Sequence, residues 1–235
     1  MKNVLVCKNC STENPYYEVI CRSCNSYLRE RIFNIDLWKV LGLLIEQPAK
    51  AFSIIIQSEH KNFIFFIIFF VSIKFLIDSM FLSLITQVPE PIFEHLIRNY
   101  IIIFGQVLII LFLTSIILTR VNKIFGIITR IRDNFSILVY SFMPHTFALF
   151  LLFIVELTVF GGSIFSKNPS PFTLKETLAY VLLSFEALII IWGILLTAIA
   201  LYTQTKSKKI SAIASSFYTL ILYYSFYLNS IYLFK

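Results

Sequence analysis

Residues 63–85 read FIFFIIFFVSIKFLIDSMFLSLI, and this stretch decides the fold class of the chain. Only two of its residues, Lys74 and Asp78, carry a charge. A helix of about 20 apolar residues is long enough to cross the hydrocarbon core of a bilayer. The run is continuous and does not alternate, which favours a helix over a strand of a membrane barrel. We therefore predict a transmembrane helix over 63–85.

The rest of the chain repeats this pattern. Four more long apolar runs follow, at about 100–119, 137–160, 177–203 and 210–234. Of all 235 residues, 58% are hydrophobic and only 14% are charged. Soluble domains contain about 25% charged residues, because a folded surface in water needs polar cover. The sequence thus predicts an all-α fold, a polytopic transmembrane bundle of five spans over 63–235, in contact with the lipid bilayer.

Lysine and arginine are distributed unevenly around these spans. Residues 1–62, 120–132 and 206–209 hold fifteen of the twenty, and one more, Lys74, lies within a span. The other four belong to the opposite side of the predicted membrane: Arg98, Lys167, Lys175 and Lys235. Cytoplasmic loops collect lysine and arginine. We predict an integral membrane protein, in a bacterial inner membrane, with a cytoplasmic N-terminus and an external C-terminus.

All four cysteines lie near the N-terminus, as Cys7-Lys-Asn-Cys10 and Cys21-Arg-Ser-Cys24. A spacing of two residues lets both thiolates of a turn reach one ion, and two such turns complete a tetrahedral shell. The alternative is two disulfides, which need an oxidising compartment. Because the charge distribution assigns this segment to the reducing cytosol, we predict a structural Zn²⁺ in a zinc-ribbon knuckle over 1–31. This segment lacks the apolar core of a signal peptide, so we expect it to be retained.

Residues 32–62 have a mixed character between the knuckle and the first span. Apolar residues alternate with charged ones, and the apolar stretch is too short and too interrupted to cross a bilayer. We predict an amphipathic interfacial segment that is broken near Pro48. Trp38 is then expected at the depth of the lipid headgroups, with Lys39 and Lys50 near the phosphates. The alternative is a linker helix that packs on the bundle.

Four ionisable residues within the spans form a candidate intramembrane polar site: Lys74, Asp78, His145 and Glu186. Charged groups at this depth are costly and are therefore candidates for function. Lys74 and Asp78 are four residues apart and share one helix face. They either neutralise each other or form an ion or proton site. His145 and Glu186 form either a proton or metal pair, or interhelical hydrogen bonds that stabilise packing.

Motifs of soluble enzymes are missing from the sequence. The six glycines form neither a dinucleotide-binding fingerprint nor a P-loop, and no GxSxG occurs. The three histidines are too scattered for a zinc-protease helix. A zinc ion with four thiolate ligands has no open position for a substrate. We therefore expect a protein that is not an enzyme.

Two short segments and the predicted topology resemble the Yip (Ypt-interacting protein) family, in the bacterial branch that carries an N-terminal zinc ribbon. The segments are Glu46-Gln-Pro48-Ala-Lys-Ala-Phe52 and Tyr140-Ser-Phe-Met-Pro144, and the resemblance covers about residues 36–235. In eukaryotes the family is implied in vesicle trafficking through Rab-type GTPases. The Asp-Leu-Tyr-Gly-Pro signature of those members is only echoed by Asp36-Leu37-Trp38. The composition is typical of bacteria, which lack Rab proteins, so the resemblance implies no trafficking role here.

These observations leave two hypotheses about function. The first is a membrane-organising or partner-scaffolding protein whose cytosolic knuckle provides stability or docks a protein partner, with a homo-oligomer as a further option. The alternative is a small transporter or channel that uses Lys74, Asp78, His145 and Glu186. The alternative requires one polar cavity that is lined by at least three of these residues. The basic residues of the knuckle are ordinary for a segment next to a membrane, so nucleic acid is not expected as a partner.

Overall fold

Helices dominate the structure and account for 74% of the residues that it describes. The computed structural model describes residues 3–85, 95–166 and 168–234. Lys2, Lys167 and Lys235, which enter the charge count above, lie outside these residues. The elements follow in the order β1 (Val4–Val6), β2 (Glu13–Pro15), α1 (Leu37–Glu46), α2 (Pro48–Gln57), α3 (Ile64–Ile85), α4 (Leu96–Ile124), α5 (Ile131–Tyr140), α6 (Met143–Phe147), α7 (Phe153–Phe160), α8 (Pro171–Leu174), α9 (Glu176–Thr205) and α10 (Lys208–Tyr232).

The knuckle contains a short antiparallel hairpin. Strands β1 and β2 pair in a register that places Leu5 opposite Asn14. Of residues 3–31, four are buried, namely Cys7, Asn14, Pro15 and Cys21. This segment therefore has almost no apolar core of its own. A unit this small usually needs a metal, a disulfide or a larger partner surface to stay folded.

Two short helices connect the knuckle to the first span. Asp36 caps α1 by accepting a hydrogen bond from the backbone N–H of Lys39, and Pro48 is the first residue of α2. Proline is favoured at that position because its missing N–H would have no partner there. Helix α2 packs against α1 and α5, as the linker-helix alternative requires. Helix α1 instead leaves Trp38 82% exposed, as an interfacial segment would.

Four helical stretches in the described part of the chain are long and apolar enough to cross a membrane. They are Ile64–Ser83, Leu96–Ile124, Ile131–Phe165 and Glu176–Thr205, and they identify an integral membrane protein. Helix α10, where the fifth span is predicted over 210–234, does not belong to this set. Its 25 residues are sufficient in length. They include five serines and five tyrosines, however, and these lower its mean hydropathy, so five spans are not confirmed.

The third stretch is irregular. Helix α5 ends at Tyr140, and α6 begins at Met143, one residue before Pro144. Proline has no N–H to donate to the carbonyl four residues earlier, and its ring collides with that turn, so the helix is interrupted here. A π-helical turn over Ala148–Leu152 follows before α7.

The chain forms two compact units, each assembled from segments that are distant in sequence. The first unit comprises Met1–Phe65, Leu111–Ser141 and Leu195–Phe217. The second comprises Phe66–Ile110, Phe142–Ile194 and Tyr218–Lys235. The first contains the knuckle with α1, α2 and α5, and the second contains most of α3 and α9. The three consecutive domains that the sequence suggests stay a prediction.

Candidate metal centre and charged cavity

The two cysteine pairs sit on two turns of the same design. In the first turn the N–H of Cys7 donates to the carbonyl of Thr12, and the N–H of Ser11 donates to the carbonyl of Cys7. In the second turn the N–H of Cys21 donates to the carbonyl of Ser26, and the N–H of Asn25 donates to the carbonyl of Cys21. Ser11 and Asn25 both adopt a φ of 58°, which bends each turn back on itself. Each turn thus directs two sulfur atoms toward the same point.

The four Sγ atoms lie within 4.8 Å of one another. Cys7 Sγ is 3.5 Å from Cys24 Sγ, and Cys10 Sγ is 3.6 Å from Cys21 Sγ. Four sulfurs at about 2.3 Å from a zinc ion stand about 3.8 Å apart in a tetrahedron, so the cluster fits such an ion. All four cysteines are free thiols and not disulfides. The site predicted from the sequence is thus assembled as one group that can hold a metal ion.

Hydrogen bonds favour the thiolate form of two of the four sulfurs, those of Cys7 and Cys24. The Ser26 hydroxyl lies 3.1 Å from Cys7 Sγ and 3.0 Å from Cys24 Sγ. Together with backbone N–H donors of Asn9 and Cys10, it lowers the pKa of Cys7 to about 6. Ser26 likewise lowers the pKa of Cys24. Thiolates are the form of cysteine that binds metal, so Cys7 and Cys24 are favoured in the form that an ion requires.

The knuckle is attached to helices of the first unit by polar contacts. Asn3 Nδ2 donates to the carbonyls of Thr203 and Gln204, each at 3.0 Å, near the C-terminal end of α9. The last carbonyls of a helix have no partner within it, so Asn3 satisfies two of them. On α2, the carbonyl of Gln57 accepts a hydrogen bond of 2.8 Å from Arg29 Nη2.

Arg29 and Arg130 strengthen this attachment from either side. Arg29 also donates to the carbonyls of Tyr17 and Glu18 inside the knuckle, at 2.9 and 3.1 Å. The guanidinium of Arg130, the residue that precedes α5, lies 4.0 Å from the centre of the Tyr17 ring. Cation–π contacts of this kind stabilise by about 0.5–1 kcal/mol at exposed sites. The knuckle is therefore part of the first unit and not a module on a free tether.

A buried ion pair near this contact is not predicted by the sequence pattern. The side chain of Asp133 is fully buried, with Lys61 Nζ 3.1 Å from Oδ1 and Arg130 Nε 2.7 Å from Oδ2. Lys61 also donates to the carbonyls of Ile55 and Ile56 at the end of α2. Burial lowers the pKa of Lys61 to about 8, although the Asp133 carboxylate opposes this. The only signal in the sequence was an acidic residue in the first turn of a helix, where the dipole favours it.

The charged residues of the spans converge in the second unit. Lys74 Nζ on α3 lies 2.6 Å from Asp78 Oδ1 and 2.6 Å from Glu186 Oε1 of α9. The Lys74 side chain is 1% exposed, whereas those of Asp78 and Glu186 are 39% and 18% exposed. The sequence predicts that Lys74 and Asp78 share one helix face, and the structure adds Glu186 from a distant segment. Lys74 is thus a bridge between two carboxylates.

These three residues line a cavity of about 350 Å³, which we call the charged cavity. A third carboxyl group, that of Glu156 on α7, lines it as well. Most of the other lining residues are apolar, and seven of them carry aromatic rings: Phe75, Phe81, Phe160, Phe165, Phe172, Tyr223 and Phe226. Sites for small molecules combine such an apolar lining with a few convergent polar groups.

His145, the fourth predicted residue, is not among the described residues that line the charged cavity. Its Nε2 atom lies 3.0 Å from the hydroxyl of Tyr223, whereas Glu186 is bonded to Lys74, so the two residues have different partners. Gly193 of α9 makes room for the imidazole, because a Cβ atom there would lie 2.8 Å from His145 Cε1. His145 therefore lies behind the cavity wall, where it contacts the lining residues Tyr223 and Phe75.

Comparison with known proteins adds no relative. The sequence matches no protein-family model and no curated protein, and the fold matches no solved structure. The candidate metal centre and the charged cavity are therefore the two features that bear on function.

Proposed function

We propose that the chain is a small transporter or channel that binds its ligand in the charged cavity and is not an enzyme. The observation that carries this proposal is the cavity lined by Lys74, Asp78 and Glu186. The transport hypothesis requires one polar cavity that is lined by at least three of the four intramembrane residues. The charged cavity has three of them, although most of its other lining residues are apolar. A lysine that served packing alone would need one carboxylate partner. Lys74 has two, and both line an open space.

The number of spans and their orientation in the membrane belong to the same proposal. Helix α10 is taken as a fifth span, since its 25 residues exceed the length that a bilayer requires. The excess of lysine and arginine in residues 1–62, 120–132 and 206–209 supports a cytoplasmic N-terminus in a bacterial inner membrane. The resemblance to the Yip family stays a prediction.

The knuckle is proposed to hold one Zn²⁺ in the cytosol. Four thiolates favour zinc or an iron–sulfur centre, and a single ion with a closed shell of four sulfurs favours zinc in a structural role. Residues 3–31 have almost no apolar core to stabilise their fold, and metal binding would supply that folding energy instead. The bonds of Asn3 and Arg29 to α9 and α2 would then make the knuckle a clamp on the ends of these helices.

A matched pair of cysteine variants on α3 tests the transport proposal. Ser79 and Ser72, two turns earlier, are both buried, but only Ser79 is among the described residues that line the charged cavity. Neither hydroxyl has a hydrogen-bond partner among the residues that the structure describes, so replacing oxygen by sulfur breaks no hydrogen bond there. Ser79→Cys and Ser72→Cys are compared in proteoliposomes with the uncharged, water-soluble reagent 2-hydroxyethyl methanethiosulfonate. The parent protein corrects for the four cysteines of the knuckle.

The expected result is faster modification of Ser79→Cys than of Ser72→Cys, because of these two buried positions only residue 79 lines the charged cavity. If both variants resist the reagent while folded and react equally after denaturation, small molecules do not reach the charged cavity. The transport proposal would then be wrong.

A partner-scaffolding protein is the second candidate, and the surface of the knuckle favours it. Val6, Ile20 and Tyr27 are all exposed on it, Tyr27 to 78%, and Ile20 and Tyr27 are neighbours in a β-bridge. Exposed apolar residues that cluster on a small polar module are typical of a binding surface. Chemical crosslinking in membranes would then give a defined adduct that Tyr27→Ser abolishes, with zinc content unchanged. An unaltered adduct pattern would count against this candidate.

A further inference from the structure

We propose that the charged cavity binds a monovalent amphipathic organic cation, an ammonium group attached to an apolar body. The inference rests on the proposed transport function and adds the class of ligand. It follows from three features of the cavity: an excess of carboxyl groups, carboxylate oxygens without hydrogen-bond donors, and walls of aromatic rings.

The first feature is the charge balance. The cavity contains one ammonium group, that of Lys74, and three carboxyl groups, those of Asp78, Glu186 and Glu156. Lys74 bridges Asp78 and Glu186. Within the described part of the chain Glu156 makes neither a hydrogen bond nor an ion pair. The formal charge of the cavity is therefore negative, and uncompensated charge in an apolar environment is costly. A bound cation offsets that cost, whereas an anion adds to it.

The second feature is the arrangement of free acceptors. Lys74 bonds to Oδ1 of Asp78 and to Oε1 of Glu186. The other oxygen of each carboxylate, Oδ2 and Oε2, accepts no hydrogen bond from the residues that the structure describes. Two unused acceptors thus remain beside the Lys74 bridge, and both belong to residues that line the cavity. They are suited to the N–H donors of an amine or to electrostatic contact with a quaternary ammonium group.

The third feature is the apolar wall, which distinguishes an organic cation from a metal ion. A hard metal ion needs about six oxygen ligands, and the charged cavity offers only a few beside its seven aromatic rings. Aromatic faces attract ammonium groups, and cages of such rings recognise quaternary ammonium compounds. A volume of about 350 Å³ also lies within the range of sites for small organic molecules. The cavity therefore matches a cation that brings its own apolar surface.

The experiment uses phenyltrimethylammonium as the probe and tert-butylbenzene as its uncharged isostere. Binding to the full chain in detergent is measured by calorimetry. Protection of Ser79→Cys from 2-hydroxyethyl methanethiosulfonate is measured in proteoliposomes. We expect the cation to bind and to slow modification, and the isostere to do neither. Equal binding of both compounds would overturn the inference, because charge would then play no part.

Two carboxyl variants locate the binding site. Glu156→Gln removes the cavity carboxyl group that has no internal partner, and we expect it to raise the Kd for the cation at least about tenfold. Glu176→Gln makes the same change at an exposed position on α9 outside the described lining, and we expect an unchanged Kd. Equal Kd values for both variants would overturn the inference.

The outcomes also separate this inference from the proposed function. If Ser79→Cys reacts but the cation neither binds nor protects, the cavity is accessible and its ligand belongs to another class. If Ser79→Cys does not react, the transport proposal itself is wrong.

Discussion

Replacing Lys74 by methionine tests the energetics of the charged cavity directly. Lys74 is 1% exposed and is bonded at 2.6 Å to each of two carboxylates, so Lys74→Met leaves both without their counter-ion. Breaking a buried ion pair by removing one partner costs about 3–5 kcal/mol. Because Asp78 is 39% exposed and partly screened, we expect about 3 kcal/mol, the lower end of this range. For a chain of this length such a loss lowers the Tm by about 6–12 °C.

The assay is thermal unfolding of the detergent-solubilised protein, followed by circular dichroism. Lys123→Met serves as the control, since Lys123 is exposed at the end of α4 and its loss should change stability by less than about 0.5 kcal/mol. The triple variant Lys74→Met, Asp78→Asn, Glu186→Gln removes all three charges and should regain most of the lost Tm. If the triple variant is as unstable as Lys74→Met alone, unpaired carboxylates are not the cause, and the reasoning is refuted.

Three further predictions concern the metal, a helix contact and a buried lysine. Purified protein should contain about one zinc per chain by elemental analysis, and Cys21→Ser should lose the metal and unfold at lower temperature; iron instead of zinc would contradict the assignment. Gly193→Ala should lower the free energy of unfolding by about 1–3 kcal/mol because its Cβ would meet His145, whereas Gly105→Ala, with open space around it, should not. The pKa of Lys61 is about 8 in the folded protein, compared with an ordinary value of 10.5. Between pH 8 and pH 10.5, Lys61 is therefore mostly neutral in the folded protein and mostly protonated in the unfolded chain. Denaturation should therefore show stability rising by up to about 3 kcal/mol from pH 8 to 10.5, and Lys61→Met should abolish this rise.

Features that depend on neighbours in the sequence were predictable. The cysteine site follows from two Cys-x₂-Cys turns, since each turn is closed by its own backbone hydrogen bonds. The pairing of Lys74 with Asp78 follows from a spacing of four residues on a helix. Local spacing therefore identifies the four cysteines of the candidate metal centre and two of the three residues Lys74, Asp78 and Glu186.

Features that depend on tertiary packing were not predictable from one sequence. Glu186 joins Lys74 across 112 residues of chain, and helical periodicity carries no information about which helices meet. The burial of Asp133 between Lys61 and Arg130 has the same origin.

Helix α10 is a different case, because the run 210–234 is continuous and helical in length but has a high content of serine and tyrosine. Its length was evident from the sequence, and its marginal hydropathy required a count of residue types.

In the triple variant we expect stability to be retained and ligand binding to be lost, and this combination would show that the charges of the cavity serve binding. Replacing a buried ion pair or triad by well-packed hydrophobic residues of similar volume is often neutral or stabilising by about 1–4 kcal/mol, so packing alone gives no reason for Lys74, Asp78 and Glu186 to be charged. If the charges serve ligand binding, the triple variant should fold as well as the parent and yet bind phenyltrimethylammonium much more weakly, by calorimetry on the same sample. If it folds well and binds the cation with the parent's affinity, the cluster serves neither stability nor binding, and recognition of a cation in this cavity would have to depend on Glu156 and the aromatic rings alone.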